Sequence, residues 1–556
     1  MAKEIKKERA NRNALRSAAK VAALLLLSWL IYLTFVNRSD LTTFFANDQA
    51  TDFIIADLFL KGDKVLLGPP SHTGGRHPGP FYYWLVTAAY WLSDRDTGTA
   101  IELLSLIKLL MLAPLFCCGL ILCERNKRWF YLCGMLLAAT NGYYIKLFRM
   151  HWQSHTLLLG SSLAFLAAFL TIRYGPRLFP VYIFCITVLF QSHLSSVPVV
   201  AGTTLVVLLS YFLRSNTRLR LCGNAEKTVT LVNILSLSGA IILWLPVLWH
   251  DLHYPSNLGR ILSIHADHQQ LLAGPIIAGS LIFEFLAQYM SAAIFSLNDI
   301  RFDNLLLFII AVFWGLRLFK EGSEEQRWHF LAIMIPLFFS WILLWHFRFP
   351  LYIHYLNSSI AIPLLLSGMV FAQALGDLAE VYAGKRNLTT VSMAIISAVL
   401  LSYMISKNLV SSTEAYSKYT GAKPHKYFHT LKHAKEIAAY ALAIGRAENS
   451  AVRIHPFMAA REAVNAYYFF MKGRERYGYM QYRQFFHELN AFKIKRRGLE
   501  KPLLSVAVMC PRPYSRERKR LLALIGKRWK IEKDLPPPKC STCSDCYVAA
   551  LSRKTR

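Results

Sequence analysis

Apolar runs long enough to cross a bilayer recur from residue 20 to residue 406, separated by polar connectors, and stop there. About 20 helical residues cover roughly 30 Å of hydrocarbon. The pattern therefore predicts spans near 20–36, 101–122, 129–146, 154–172, 178–192, 195–213, 229–249, 303–319, 328–346, 353–373 and 389–406. A further apolar segment, 271–295, carries Glu284 and Gln288. Both are costly at mid-bilayer, so it reads as a surface helix. The fold class expected is an α-helical polytopic membrane protein of about eleven transmembrane helices, with polar segments at 37–100 and 250–302.

Past residue 406 the periodicity changes. Residues 424–445 have amphipathic helical spacing, "SAVRIHPF" and "LLSVAVMC" read as strands, "SRERKRLLALIG" as a helix and "WKIEKD" as the last strand. Residues 407–556 thus form a small C-terminal α/β domain, behind a transmembrane domain at 20–406 and a basic N-terminus at 1–19.

Composition agrees, because 54% hydrophobic and 17% charged residues exclude a string of soluble domains. The net charge of +30 is unevenly placed. Residues 1–20 hold seven Lys/Arg against two acids, with no small-residue cleavage site after them. That predicts a retained first helix anchored on the cytoplasmic side. The connectors "CERNKR", "IRYGPR", "RSNTRLR", "RLFKEGSEEQR" and "AGKRN" fall on that same side, as positive-inside charge requires. Segments 37–100 and 250–302 and the C-terminal domain then lie outside, periplasmic if the membrane is a bacterial inner membrane. The tail carries 31 basic residues against 11 acidic. Such charge suits an anionic envelope surface or a phosphate-bearing substrate, and equally a merely solvated face. No aromatic-interleaved motif accompanies it, so nucleic acid is not expected as a partner. Cys510, Cys540, Cys543 and Cys546 lie in the tail. Outside the cytoplasm they suggest two disulfides, with three possible connectivities; in a reducing compartment they suit a four-thiolate zinc site. The predicted topology favours disulfides.

Segment 37–100 carries the densest polar signal. "NDQATDFIIADLFLKGD" predicts a short helix with Asp48 near its start, where the plain structural reading is an N-cap. "GPPSHTGGRHPGP" is fixed non-helical backbone, and "FYYWLVTAAYWL" is too short to span and predicts an interfacial helix. A first span, an outer loop with an early Asp, a "GD" turn and the Pro-flanked "HPGPFYYW" helix together resemble the GT-C membrane glycosyltransferases. The nearest types are protein O-mannosyltransferases and the aminoarabinose transferases of lipid A. "LYIHYLNSSIAIP" is similar to the Tyr-rich lead-in to a late span of that superfamily. Relatives often have Asp-Glu where this chain has Asp48-Gln49.

The resemblance implies transfer of a sugar from a polyprenyl-phosphate donor to a lipid, glycan or protein acceptor at the outer membrane face. The chemistry of the residues agrees. An acceptor hydroxyl needs one base, for which Asp48 is the candidate, with Asp52 a turn further on and secondary. The leaving phosphate is already ionised and needs cations, so the carboxylate pair of a glycoside hydrolase is not required. A single displacement inverts the anomeric centre. Candidate phosphate and substrate contacts are Arg76, His77, Arg149, His151, His155, His193 and Arg260, which cluster on the outer side. A lipid-headgroup contact is the competing reading for each. On the resemblance, Tyr82, Tyr83 and Tyr355 join them. No cofactor is singled out; a divalent metal is conceivable at the histidines, but no ligand spacing singles out a set. A transporter or flippase of a lipid-linked intermediate is the alternative, against which stands the lack of an internal repeat. A third reading makes the basic tail the working part and the spans its anchor, although eleven spans exceed an anchor's needs.

Overall fold

A computed structural model describes residues 2–36, 47–69, 76–213, 224–254, 256–257, 259, 322–344, 353–382, 388–420, 435, 439–440, 443, 451–454, 503–509, 529–535 and 547–553. The surface helix at 271–295, the span at 303–319, the tail helix "SRERKRLLALIG", most of the tail helix at 424–445, the four tail cysteines and Arg260 fall outside them. The chain divides into two compact units, one comprising residues 1–36, 64–89 and 101–420, the other residues 37–63, 90–100 and 421–556.

The first unit is helical. Its elements are α1 (Ala2–Phe35), most of α3 (Phe81–Leu92) and α4 (Thr97–Leu110), then α5 (Leu112–Leu122), α6 (Arg128–Ala139) and α7 (Gly142–Arg149). After them come α8 (Leu157–Tyr174), α9 (Phe179–Ser192), α10 (Val197–Leu213), α11 (Asn224–His253), α12 (Glu324–Leu344), α13 (Ala361–Tyr382) and α14 (Leu388–Thr420). Short 3-10 turns occupy Gln153–His155, Leu194–Ser196 and Ile353–Ser359. Among the described residues, seven helical segments are long and apolar enough to cross a membrane, and two shorter apolar ones lie at Arg128–Ala139 and Pro176–Ser192.

Two predicted spans are interrupted. The one at 101–122 is split at Met111 between α4 and α5, because Pro114 has no N–H for the Leu110 carbonyl. The one at 129–146 is not continuous: α6 ends at Ala139, and Asn141 starts α7 by accepting from the Tyr143 and Tyr144 N–H groups at 3.0 and 3.2 Å. A capping side chain inside the apolar run overrides its hydropathy. At its other extreme the bundle outlasts the prediction. Helix α14 continues to Thr420 rather than ending at 406, since loss of hydropathy marks a membrane edge, not the end of a helix.

The helices close-pack. The Tyr131 ring of α6 sits against Gly119 of α5 and Gly368 of α13, either of which would collide with it if it bore a Cβ. Its hydroxyl donates to the Leu115 carbonyl at 3.0 Å. One end of this unit gathers the basic connectors. There Lys127 Nζ donates to Gln373 Oε1 at 3.1 Å, Gln326 Nε2 donates to the Leu122 carbonyl at 3.1 Å, and Arg173 lies 3.8 Å from Glu325. The other end gathers the polar chemistry described below.

In the second unit, α2 (Asn47–Leu60) lies with the start of α4 and a four-stranded sheet. Strands β1 (Ala451–Ile454), β2 (Leu503–Met509), β3 (Trp529–Leu535) and β4 (Tyr547–Arg553) run in the order β1-β2-β4-β3. β1 pairs parallel with β2, with Ala451 opposite Leu503; β4 is antiparallel to both β2 and β3. "WKIEKD" is thus an edge strand rather than the last one. β4, "YVAALSR", went unpredicted because so short an apolar run has no decisive period.

Candidate functional site

Asp48 occupies the first turn of α2, with Asp52 four residues on. The helix is buried on nearly every side: Gln49 is 1% exposed, Asp52 4%, Phe53 0% and Asp57 6%. A solvated loop helix would be exposed along one face, and α2 is not. Phe53 packs on Tyr90 with ring centroids 5.4 Å apart. Asp57 pairs with Lys61 at 2.5 Å, an i,i+4 ion pair that accounts for that acid without chemistry.

In the helical unit, the candidate cations gather around the end of α7, and much of their hydrogen bonding is to backbone. Arg149 Nη1 donates to the carbonyls of Leu33, Thr34 and Val36 at 2.8, 3.2 and 2.9 Å. It thereby caps the C-terminus of α1, whose last carbonyls have no intrahelical donor. Lys108, buried within the span Thr97–Leu122, does the same for α7: Nζ donates to the Leu147 and Met150 carbonyls at 2.7 and 2.9 Å. The Met150 oxygen also takes the Nδ1–H of His155 at 3.1 Å, which fixes that ring's tautomer. Lys108, Lys146 and His151 are the electrostatic neighbours of His155. His151 Nε2 meets the Tyr82 hydroxyl at 3.1 Å, with the two rings stacked at 7°. The structure thus joins Tyr82 of α3 to His151. Tyr83, beside Tyr82, is fully buried.

Residues 64–69 and 76–79 form a clasp. Gly68 N–H donates to the His77 carbonyl at 3.0 Å, and His77 N–H to the Pro69 carbonyl at 2.9 Å. His77 Nδ1 accepts the Leu194 N–H at 3.0 Å, and His193 Nδ1 accepts the Ser195 N–H at 3.1 Å. Both rings, 4.2 Å apart, therefore carry no proton on Nδ1. Gly79, at φ +88°, lies so close to the Gln191 side chain that no Cβ fits. Arg76 is exposed, and its Nε donates to the Gly68 carbonyl at 2.8 Å. Lys64 lies 5.8 Å over the Trp249 ring of α11.

Beside the clasp, the 3-10 turns Gln153–His155, Leu194–Ser196 and Ile353–Ser359 meet in a polar shelf. Tyr143 donates to Asn357 Oδ1 at 2.9 Å, Ser358 Oγ to the Ser195 carbonyl at 2.7 Å, and Gln153 Nε2 to the Ser192 carbonyl at 2.9 Å. The Oγ atoms of Ser154, Ser195 and Ser196 and the Oε1 of Gln191 are buried with no hydrogen-bond partner among the described residues. Tyr355 belongs to the turn Ile353–Ser359. Lys108, Gln191 and Asn257 were missed from the sequence, because their partners are backbone groups distant along the chain. The one available signal was Lys108, an ionisable residue inside an apolar span. Among the described residues, no group of three or more His, Cys, Asp or Glu side chains is placed to hold a metal ion.

No family model and no curated protein sequence matches the chain. Among solved structures, it is similar to ArnT from Cupriavidus metallidurans in the apo state, at TM-score 0.52 and 13% identity over 96% of this chain and 98% of that one. Against the same enzyme bound to undecaprenyl phosphate the TM-score is 0.50 and the identity 14%, over 95% and 97% of the two chains. An oligosaccharyltransferase from Archaeoglobus fulgidus aligns at TM-score 0.45 and 11% identity, over 81% of this chain and 64% of that one. The ArnT likeness spans nearly the whole of both chains, and on it this chain has the fold of ArnT.

Proposed function

We propose that the protein is a multi-pass inner-membrane glycosyltransferase that moves a sugar from a polyprenyl-phosphate donor to an acceptor hydroxyl at the periplasmic face. The observation that carries this reading is the end-to-end likeness to ArnT, which has been seen bound to undecaprenyl phosphate. The sequence resemblance at residues 47–92 supports the same reaction. Asp48 takes the proton as the acceptor oxygen attacks the anomeric carbon. The donor's C–O bond to phosphate breaks as the new glycosidic bond forms, with inversion. The departing phosphate keeps its electron pair and its charge, and exposed Arg76 is the best suited of the basic residues to meet it, through a fork of donors. His151 and Tyr82 supply a second polar pair for the substrate. Asp52 is secondary.

Gathering of the basic connectors at the opposite end of the helical unit supports placing this end outside the cytoplasm. The C-terminal domain, residues 407–556, then faces the periplasm as well, and its excess of basic residues suits an anionic envelope acceptor.

Asp48→Asn is the deciding substitution. In proteoliposomes given an undecaprenyl-phosphate-linked sugar and a lipid acceptor fraction, the variant should lose transfer by at least about 10²-fold. Its affinity for undecaprenyl phosphate should stay within about twofold of wild type. Full transfer by a folded Asp48→Asn protein defeats the assignment of the base, and uptake of donor into vesicles without transfer favours a flippase.

A further inference from the structure

Arg76 owes its place to groups that the reaction itself does not use. The Asn257 side chain, 4% exposed, grips the backbone of Arg76 at two points. Its Oδ1 accepts the Arg76 N–H at 2.8 Å, and its Nδ2 donates to the Arg76 carbonyl at 2.8 Å. One carboxamide thus replaces a neighbouring strand for that single residue. Asn257 is itself held by Asp251, at the end of α11. The Asp251 carboxylate accepts the Asn257 N–H at 3.1 Å, the Ser256 hydroxyl at 3.1 Å and the His250 Nδ1 at 2.9 Å. Ser256 Oγ in turn accepts the N–H of Gly259, three residues on, at 3.0 Å.

These bonds form a chain of contacts running from α11 through Asp251 and Asn257 to the Arg76 backbone. The Arg76 side chain adds only its Nε bond to Gly68, and among the described residues its two terminal nitrogens have no protein partner. Fixing the backbone of a long side chain removes the freedom it would otherwise lose on binding an anion. An Arg needed only for packing has no use for a two-point grip on its own peptide groups.

We infer that Asn257 is a positioning residue: with Asp251 behind it, it presents the Arg76 guanidinium to the phosphate of the lipid carrier. This rests on the reading of Arg76 as the phosphate contact given above. It assigns Asn257 no contact with substrate.

The test uses the full-length protein in detergent micelles and undecaprenyl phosphate alone as probe. Arg76→Met should weaken its binding about tenfold, the loss of a charge-assisted hydrogen bond. Asn257→Leu, which removes both grips at similar volume, should weaken it about fivefold with Arg76 present. In an Arg76→Met background the same change should have no further effect. If Asn257→Leu does not fold, Asn257→Asp takes its place. It keeps the acceptor, loses the donor, and should show about a twofold loss with the same dependence on Arg76. The inference is overturned if Arg76→Met weakens binding while the Asn257 variants bind as wild type. It is equally overturned if the two losses multiply in the double variant, which is how an independent structural role behaves. Wild-type affinity in Arg76→Met instead removes Arg76 from the phosphate reading on which the inference stands.

Discussion

Gly79→Ala should destabilise the protein far more than a one-carbon change on a loop ordinarily does. At φ +88° an L-residue is strained by about 1–2 kcal/mol. The larger cost is steric. The new Cβ would fall among Cγ, Cδ and Oε1 of Gln191. Gln191 has little room to retreat, being fully buried with Nε2 bonded to the Leu243 carbonyl at 2.7 Å. Overpacking of this kind costs about 1–3 kcal/mol, and swinging Gln191 aside breaks a buried hydrogen bond worth a similar amount. The total is about 3–4 kcal/mol, taking mid-range values for strain and clash. Denaturant unfolding of the detergent-solubilised protein, followed by tryptophan fluorescence, measures it. The same experiment on Gln191→Ala and on the double variant isolates the collision, because the double should be more stable than the summed losses by the steric share, about 1–3 kcal/mol. A Gly79→Ala protein within about 1 kcal/mol of wild type, or a strictly additive double, would mean that Gly79 is not held against α9 as described.

Two further outcomes follow from buried groups. Lys108→Met leaves the Leu147 carbonyl at the end of α7 without its lysine donor, while the Met150 carbonyl keeps His155; a loss of about 1–3 kcal/mol is expected in the same unfolding assay, and an unchanged midpoint would show that the lysine is not needed as a cap. Burial pushes the Cys123 thiol, just past the span Thr97–Leu122, up to about 12. Its thiolate fraction at pH 8 is then about 10⁻⁴, against roughly a quarter for an ordinary thiol, and it rises about tenfold per pH unit until the pKa is reached. Peptide mapping after maleimide treatment at pH 8 should find Cys123 modified at least about 10³-fold more slowly in native than in denatured protein; equal rates contradict its burial.

The sequence was legible where burial and local geometry alone decide the structure. The limits of α3 match "FYYWLVTAAYWL" because Pro80 stops the chain before it and the apolar stretch ends with it. Three of the four strands stood out as β-branched or aromatic runs among turn residues. What stayed hidden was the destination of the polar side chains. From residue type alone, Arg76, His77, Arg149, His151, His155, His193 and Arg260 were all candidates for phosphate. In the structure Arg149 and Lys108 donate to helix carbonyls, His155 donates to the Met150 carbonyl, and His77 accepts the Leu194 N–H. Those partners lie between 5 and 117 residues away, a separation that no periodicity encodes. The pattern has one physical cause. In a bundle of apolar helices, backbone groups at broken helices and tight turns are out of reach of water, and each left unmet costs several kcal/mol. Side chains that could have bound a ligand are drawn into satisfying them. The same reasoning sharpens the functional assignment. Arg76 has its own backbone supplied with partners by Asn257, and its guanidinium gives only Nε to a backbone carbonyl, that of Gly68, and remains exposed. Among the described basic residues singled out by chemical type, it is the exposed arginine whose backbone another side chain holds in place.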